Sequence, residues 1–155
     1  MNAPVPDLDG IDLGELADSA GFLVRLAQLR LFEGFFDRMA AEGLKPGEFT
    51  ALWCVALNPD VRQGALARRL RIKPAHMTKL VERMVRAGHL ARRIPPEDRR
   101  TVHLRATKAG EALIERHRAA FLDLHRAERA GLTEAEGAQL LVLLRKLAGL
   151  EEGAT

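Results

Sequence analysis

The stretch RRIPPEDRRTVHLRAT, Arg92 to Thr107, restricts the fold more than any other part of the chain. Val102, Leu104 and Ala106 alternate with Thr101, His103 and Arg105, the period-two pattern of a half-buried strand. Leu90 to Ile94 can pair with Thr101 to Ala106 across the turn residues PPED, which predicts a hairpin. Arg92, Arg93, Arg99, Arg100 and Arg105 crowd this hairpin, and their charges repel unless an anion sits against them. Thr107 follows, where a hydroxyl can accept from an orphan backbone N–H and start a helix.

The charge is regional. Positions 61 to 110 hold 14 Lys and Arg against Glu82, Glu97 and Asp98, a balance of +11 within a chain whose total is +3. The remainder is therefore net acidic. This asymmetry predicts a polyanionic partner such as nucleic acid; the plain alternative is a solvated basic face. The 155 residues suggest one domain, with a loose arm over 1–10 and the domain over 11–155. Cys54 is the lone cysteine, so no intrachain disulfide can form. The start MNAPVPDLDG has neither the basic nor the apolar part of a signal peptide, and no apolar run is long enough to cross a bilayer; a cytoplasmic protein is expected.

Helical periodicity dominates elsewhere. Leu16, Phe22, Leu23, Leu26, Leu29, Phe32, Phe35, Phe36 and Met39 recur at three- and four-residue steps, one long helix or two broken near Ser19–Gly21. Gly43 and Pro46 mark a stop and a restart, and the next helix ends at Asn58-Pro59. VRQGALARRLRI reads as a short helix and PAHMTKLVERMVRAGHL as a second, closed by Gly88. Met77, Leu80, Val81, Met84 and Val85 share one face of the second helix; His76, Lys79, Arg83 and Arg86 share the other. Two short helices on a tight turn, the second basic outside, form a helix-turn-helix candidate. A helix from Lys108 to about Ala130 follows. Thr133 with Glu136 then predicts a capping box on a last helix rich in leucine.

These residues resemble the MarR family of bacterial transcriptional regulators. The specific part is DRRTVHLRATKAG, with Asp98, Arg100, Thr107 and Gly110 at the positions of the family's wing signature, and the resemblance runs from about Ile11 to Leu150. It implies a mainly α winged helix-turn-helix with a two-stranded β wing. The winged-helix lobe would be 46–107, with dimerisation helices over 11–40 and 108–150. It implies a homodimer on a pseudo-palindromic operator, with Pro74–Arg86 in the major groove and Arg92–Arg105 near the minor groove. Two positions depart from the family's pattern: Lys73 stands where a capping oxygen is wanted, which Pro74 at the first helical position partly excuses, and the small Ala106 is expected to loosen the second strand.

Residues expected to meet DNA are Lys73, Pro74, Ala75, His76, Thr78, Lys79, Arg83, Arg92, Asp98, Arg99 and Arg100. Arg100 is the first choice for the minor groove and Arg99 the second, with Asp98 orienting Arg100 by a charge-assisted hydrogen bond; the alternative, which can coexist with it, is that Asp98 and Arg100 simply tie the hairpin together. Arg83 and Arg86 suit either phosphate contacts or pairs within the protein. The resemblance also implies a small effector, an aromatic or phenolic anion or its thioester. Arg25, Gln28, Phe32 and Trp53 are its expected lining, though packing explains most of the aromatic residues. Cys54, between apolar neighbours in ALWCVAL, suits a core position better than a redox sensor. His117 and His125 lie too far apart along a helix to chelate together. No metal, cofactor or catalytic cluster is predicted. The reading is thus a ligand-released repressor. Its rivals are a thiol switch using Cys54 and a non-specific architectural DNA-binding protein.

Overall fold

The computed structural model describes residues 10–39, 43–124, 126 and 131–150. The expected arm, Gly10 apart, lies outside these residues, and so do His125 and the expected helical stretch from 127 to Ala130. A 3-10 turn at Gly14–Asp18 precedes α1 (Ala20–Met39), so the helical N-terminal region is broken at Ser19. The order continues α2 (Pro46–Leu57), β1 (Val61–Arg62), α3 (Gln63–Arg69), α4 (Pro74–Arg86), β2 (Leu90–Arg93), β3 (His103–Ala106), α5 (Lys108–Leu124) and α6 (Glu134–Ala148).

The local signals act as their chemistry requires. Pro46 and Pro74 open α2 and α4. Lys73 makes no side-chain cap, so α4 starts on the proline alone. Gly88 takes φ +76, and the Gly88 and His89 N–H groups donate to the Val85 and Met84 carbonyls at 3.0 and 2.9 Å, the paired bonds of a Schellman stop. Thr133 Oγ1 accepts from Glu136 N at 3.3 Å while Glu136 Oε2 accepts from Thr133 N at 2.7 Å. The Thr133 amide and hydroxyl together hold the Glu136 carboxyl below its ordinary pKa.

β2 and β3 pair as the expected two-stranded wing, and β1 adds a further strand to their sheet. It has three antiparallel strands in the order β1-β3-β2, with Val61 opposite Leu104 and Leu90 opposite Ala106. Val61 and Arg62, expected to begin a helix, instead extend along β3, and α3 starts at Gln63. The hairpin strands are also shorter than expected, because Ile94 and Thr101–Val102 leave the ladder. Ala106 is buried and keeps register with Leu90.

The chain divides into two compact units. One runs from Phe35 to Phe121. Its core joins Phe49, Leu52 and Val55 of α2, Met77, Val81 and Met84 of α4, Leu90 and Leu104 of the sheet, and Leu113 and Ile114 of α5. Phe49, Trp53 and Phe121 form an aromatic cluster with centroids 4.9 to 5.9 Å apart. The other unit holds the residues up to Gly34 and those from Leu122 onward. Many of its apolar side chains face outward in the single chain: Leu23, Leu26 and Leu29 of α1, and Leu141, Leu143 and Leu147 of α6, the last 67% exposed. Among the described residues no helix is long and apolar enough to cross a membrane.

Candidate nucleic-acid interface

Helix α4 is divided by its own periodicity. Met77, Leu80, Val81 and Met84 are buried, which turns Pro74, Ala75, His76, Thr78 and Lys79 to the surface, with Lys73 exposed just before them. Thr78 is held from both sides. Its hydroxyl donates to the Pro74 carbonyl at 3.1 Å and accepts from Gln63 Nε2 at 3.2 Å. Gln63 thus ties the start of α3 to the exposed turn of α4, a role no sequence pattern announced. The turn between the helices places Arg71 at φ +52, the left-handed region that favours glycine, and Ile72 N–H donates to the Ala67 carbonyl at 2.9 Å.

The wing tip is shaped by Asp98, in the hairpin-tying one of its two expected roles. Its Oδ1 accepts from the backbone N–H of Arg100 at 3.1 Å, and its carbonyl accepts from Thr101 Oγ1 at 3.2 Å. The carboxylate therefore closes the turn through the main chain rather than orienting the Arg100 guanidinium. Arg99 and Arg100 are both exposed at the tip. Arg92, on β2, lies 4.0 Å from Glu82 of α4, a long surface pair.

Two acids outside the expected set organise the basic surface. Asp60 sits in the turn before β1 at φ +62, a conformation short polar side chains tolerate. Its carboxylate pairs with Arg105 and lies 3.6 Å from Arg93, and its carbonyl accepts from His103 Nδ1 at 2.9 Å. Three wing side chains thus converge on one residue. The Arg105 hydrogen bond, with the charges of Arg105 and Arg93, holds the Asp60 carboxyl below its ordinary range against some desolvation. Glu48, in the first turn of α2, is buried and pairs with Arg83 of α4. Arg83, expected among the DNA contacts, is therefore engaged inside the protein. The sequence hint for Asp60 is its place after Asn58-Pro59, before a basic run; for Glu48 it is a third-position glutamate at a helix start.

Arg25 and Gln28 are exposed on α1 and Phe32 is half-buried there, while Trp53 belongs to the aromatic cluster of the other unit. Cys54 is half-buried on α2. Burial pushes its thiol above the ordinary value, with Arg69 opposing weakly, and a raised thiol makes a poor peroxide sensor.

A helix pair on a tight turn, its second helix offering a polar and basic face, followed by a sheet whose hairpin ends in arginines, is a winged helix-turn-helix, a class of DNA-binding protein. The family model described as MarR matches residues 44–102. The putative transcriptional regulatory protein for the hcr operon of Thauera aromatica is 30% identical over 142 residues, covering 91% of this chain and 86% of that protein. The transcriptional repressor CouR, bound to a 23-mer DNA duplex, is 28% identical with a TM-score of 0.78, over 89% of this chain and 98% of CouR. Bordetella bronchiseptica BpsR, whose DNA binding is regulated by 6-hydroxynicotinic acid, is 26% identical with a TM-score of 0.75, over 85% of this chain and 94% of BpsR. The chain belongs to the MarR family: it is a DNA-binding transcriptional regulator and not an enzyme.

Proposed function

We propose that the protein is a cytoplasmic homodimeric repressor of a pseudo-palindromic operator, released by a small aromatic or phenolic anion or its thioester. The observation that carries this reading is the joint exposure, within one compact unit, of the polar face of α4 and the arginines of the wing tip. Lys73, Pro74, Ala75, His76, Thr78 and Lys79 meet the major groove, where phosphate contacts set register and one or two side chains read base edges. Arg99 or Arg100 enters the minor groove, whose narrow regions attract arginine, with Arg92 and Asp98 supporting the wing. The winged-helix lobe spans 46–107, and 11–40 with 108–150 form the dimer. The outward apolar side chains of α1 and α6 support that role, because a second copy would take them from water.

Two recognition helices must lie about one DNA turn apart, so a modest change in dimer geometry ends binding. An effector that favours one dimer geometry therefore suffices for release. Arg25, Gln28, Phe32 and Trp53 are the side chains proposed to meet it, and regulation of BpsR by an aromatic acid supports the chemical class. The test compares binding of the full chain to its promoter and to a scrambled duplex at equal salt. Preference for the promoter, lost on adding a phenolic acid or thioester that also raises the melting temperature, is the expected result. Equal affinities would leave a non-specific architectural protein instead.

A further inference from the structure

The first turn of α2 buries a charge that an ordinary capping glutamate would leave in water. Glu48 is 5% exposed and is the one charged side chain in the core of the described residues. Its Oε2 accepts from the backbone N–H of Lys45 at 2.9 Å, which is all that the cap requires. Its Oε1 does something else: it holds Nη2 of Arg83, which projects from α4. The Arg83 Nε beside it is buried with no hydrogen-bond partner, so the guanidinium has been drawn inward to reach this carboxylate. Around the pair, Lys45, Lys79 and Arg86 line an open groove of about 510 Å³ between α2 and α4.

The two kinds of contact between α2 and α4 do different work. Burial of Met77, Leu80, Val81 and Met84 sets how deep α4 lies and which face it turns to the surface, but apolar contacts alone leave room for small rotations about that setting. An ion pair with one partner out of water is directional, and leaving either partner alone is costly, so it opposes rotation of α4 about its axis. It also neutralises a cation that would otherwise join the basic groove.

We propose that Glu48 is a positioning residue for operator recognition: through Arg83 it fixes the rotation of α4, and it keeps the Arg83 charge away from the DNA. The inference rests on the DNA-binding reading above. It gives Arg83 a role inside the protein rather than on a phosphate. Two variants then respond differently. Glu48→Gln keeps an oxygen for the Lys45 N–H but frees the Arg83 cation, whose side chain is already 41% exposed. Arg83→Met keeps the apolar stem and removes the tether. Both allow α4 to turn, so both lose discrimination, but only the first gains a phosphate contact.

The experiment measures binding of the full-length parent, Glu48→Gln, Arg83→Met and the double variant to promoter and scrambled duplexes. Salt runs from about 50 to about 300 mM, with thermal unfolding in parallel. The expected result for Glu48→Gln is a slope of log K against log salt steeper by about 0.9. Arg83→Met and the double variant keep the parental slope. The ratio of promoter to scrambled affinity falls on the order of tenfold in every variant, comparable to one misread base pair. A slope shallower by about 0.9 in Arg83→Met would mean that Arg83 touches phosphate in the parent, and would overturn the proposal. Parental discrimination in the variants would overturn it as well. Should Glu48→Gln fail to fold, Arg83→Met and the double variant, which leaves no unpaired charge, decide by the same two readings. Equal affinity of the parent for both duplexes would remove the regulator reading itself, a result visible before any variant is measured.

Discussion

Gly110→Ala is expected to destabilise the protein by about 2–3 kcal/mol, although alanine is the better helix former. Gly110 is the third residue of α5, and its N–H donates to Thr107 Oγ1 at 3.1 Å. A Cβ there would sit well inside the 3.0 Å that real Cβ atoms keep from the His89 carbonyl oxygen, 3.1 Å from the His89 carbonyl carbon and 3.2 Å from Leu52 Cδ1. The carbonyl cannot simply yield. It accepts from Thr107 N–H at 3.0 Å, and the neighbouring Gly88 carbonyl accepts from Thr107 Oγ1 at 2.6 Å. The start of α5 must therefore back away from the turn after α4, weakening both bonds. Overpacking of this kind costs about 1–3 kcal/mol and each weakened hydrogen bond up to about 1, while the helix preference of alanine returns at most about 1. At about 2–4 °C per kcal/mol for a chain of this size, the melting temperature should fall by about 4–12 °C. Circular dichroism melts at matched protein concentration measure it, because dimerisation makes the midpoint concentration-dependent. Gly47→Ala is the control, since a Cβ there meets nothing within 4 Å. A melting temperature for Gly110→Ala equal to or above the parent's would refute the close approach of α5 to His89.

Three further outcomes are expected. Arg100→Ala should weaken promoter binding by about 1–3 kcal/mol while leaving the wing turn and the dimer intact, because Asp98 holds the Arg100 backbone N–H rather than its side chain; unchanged affinity in an anisotropy titration would make Arg100 structural only. Asp60 has a carboxyl pKa lowered by folding, so its contribution is present above the ordinary carboxylate pKa and is lost as pH falls below it, through the lowered value. Urea unfolding of Asp60→Asn should accordingly show lower stability at neutral pH and a flatter fall below about pH 4 than the parent; parallel curves would show that the clasp adds nothing. Native Cys54, with its raised thiol pKa, should react with iodoacetamide at pH 7 more slowly than in the unfolded chain, and Cys54→Ser should bind DNA like the parent with and without peroxide. Peroxide release of the parent, abolished in Cys54→Ser, would instead establish a thiol switch.

The sequence signals that succeeded were short in range. Thr107 and Thr133 cap the next three residues, Gly88 ends the turn it belongs to, and the apolar spacing of Met77, Leu80, Val81 and Met84 is the geometry of one helix. Such features depend on neighbours within one or two turns, so the helix-turn-helix and hairpin were legible, as was the family signature they carry. The misreadings involve partners distant along the chain. Val61 and Arg62 look like the start of a helix until β3 arrives beside them, with Leu104 opposite Val61. At the wing tip the choice is local: of the two roles open to Asp98, the turn selects the hairpin tie, through the Arg100 backbone N–H.

Residue types and their spacing place the stop at Gly88 and the caps at Thr107 and Thr133, gather positive charge over 61–110, and put arginines on the wing. Which of those charges are taken up within the protein depends on contacts that form only on folding. Asp60 takes up Arg93 and Arg105, and Glu48 takes up Arg83, while Arg99 and Arg100 stay exposed at the wing tip. A charge is a property of one residue, whereas its neutralisation depends on distance in space. Tens of residues along the chain separate Glu48 from Arg83 and Asp60 from Arg105, and folding brings each pair into contact.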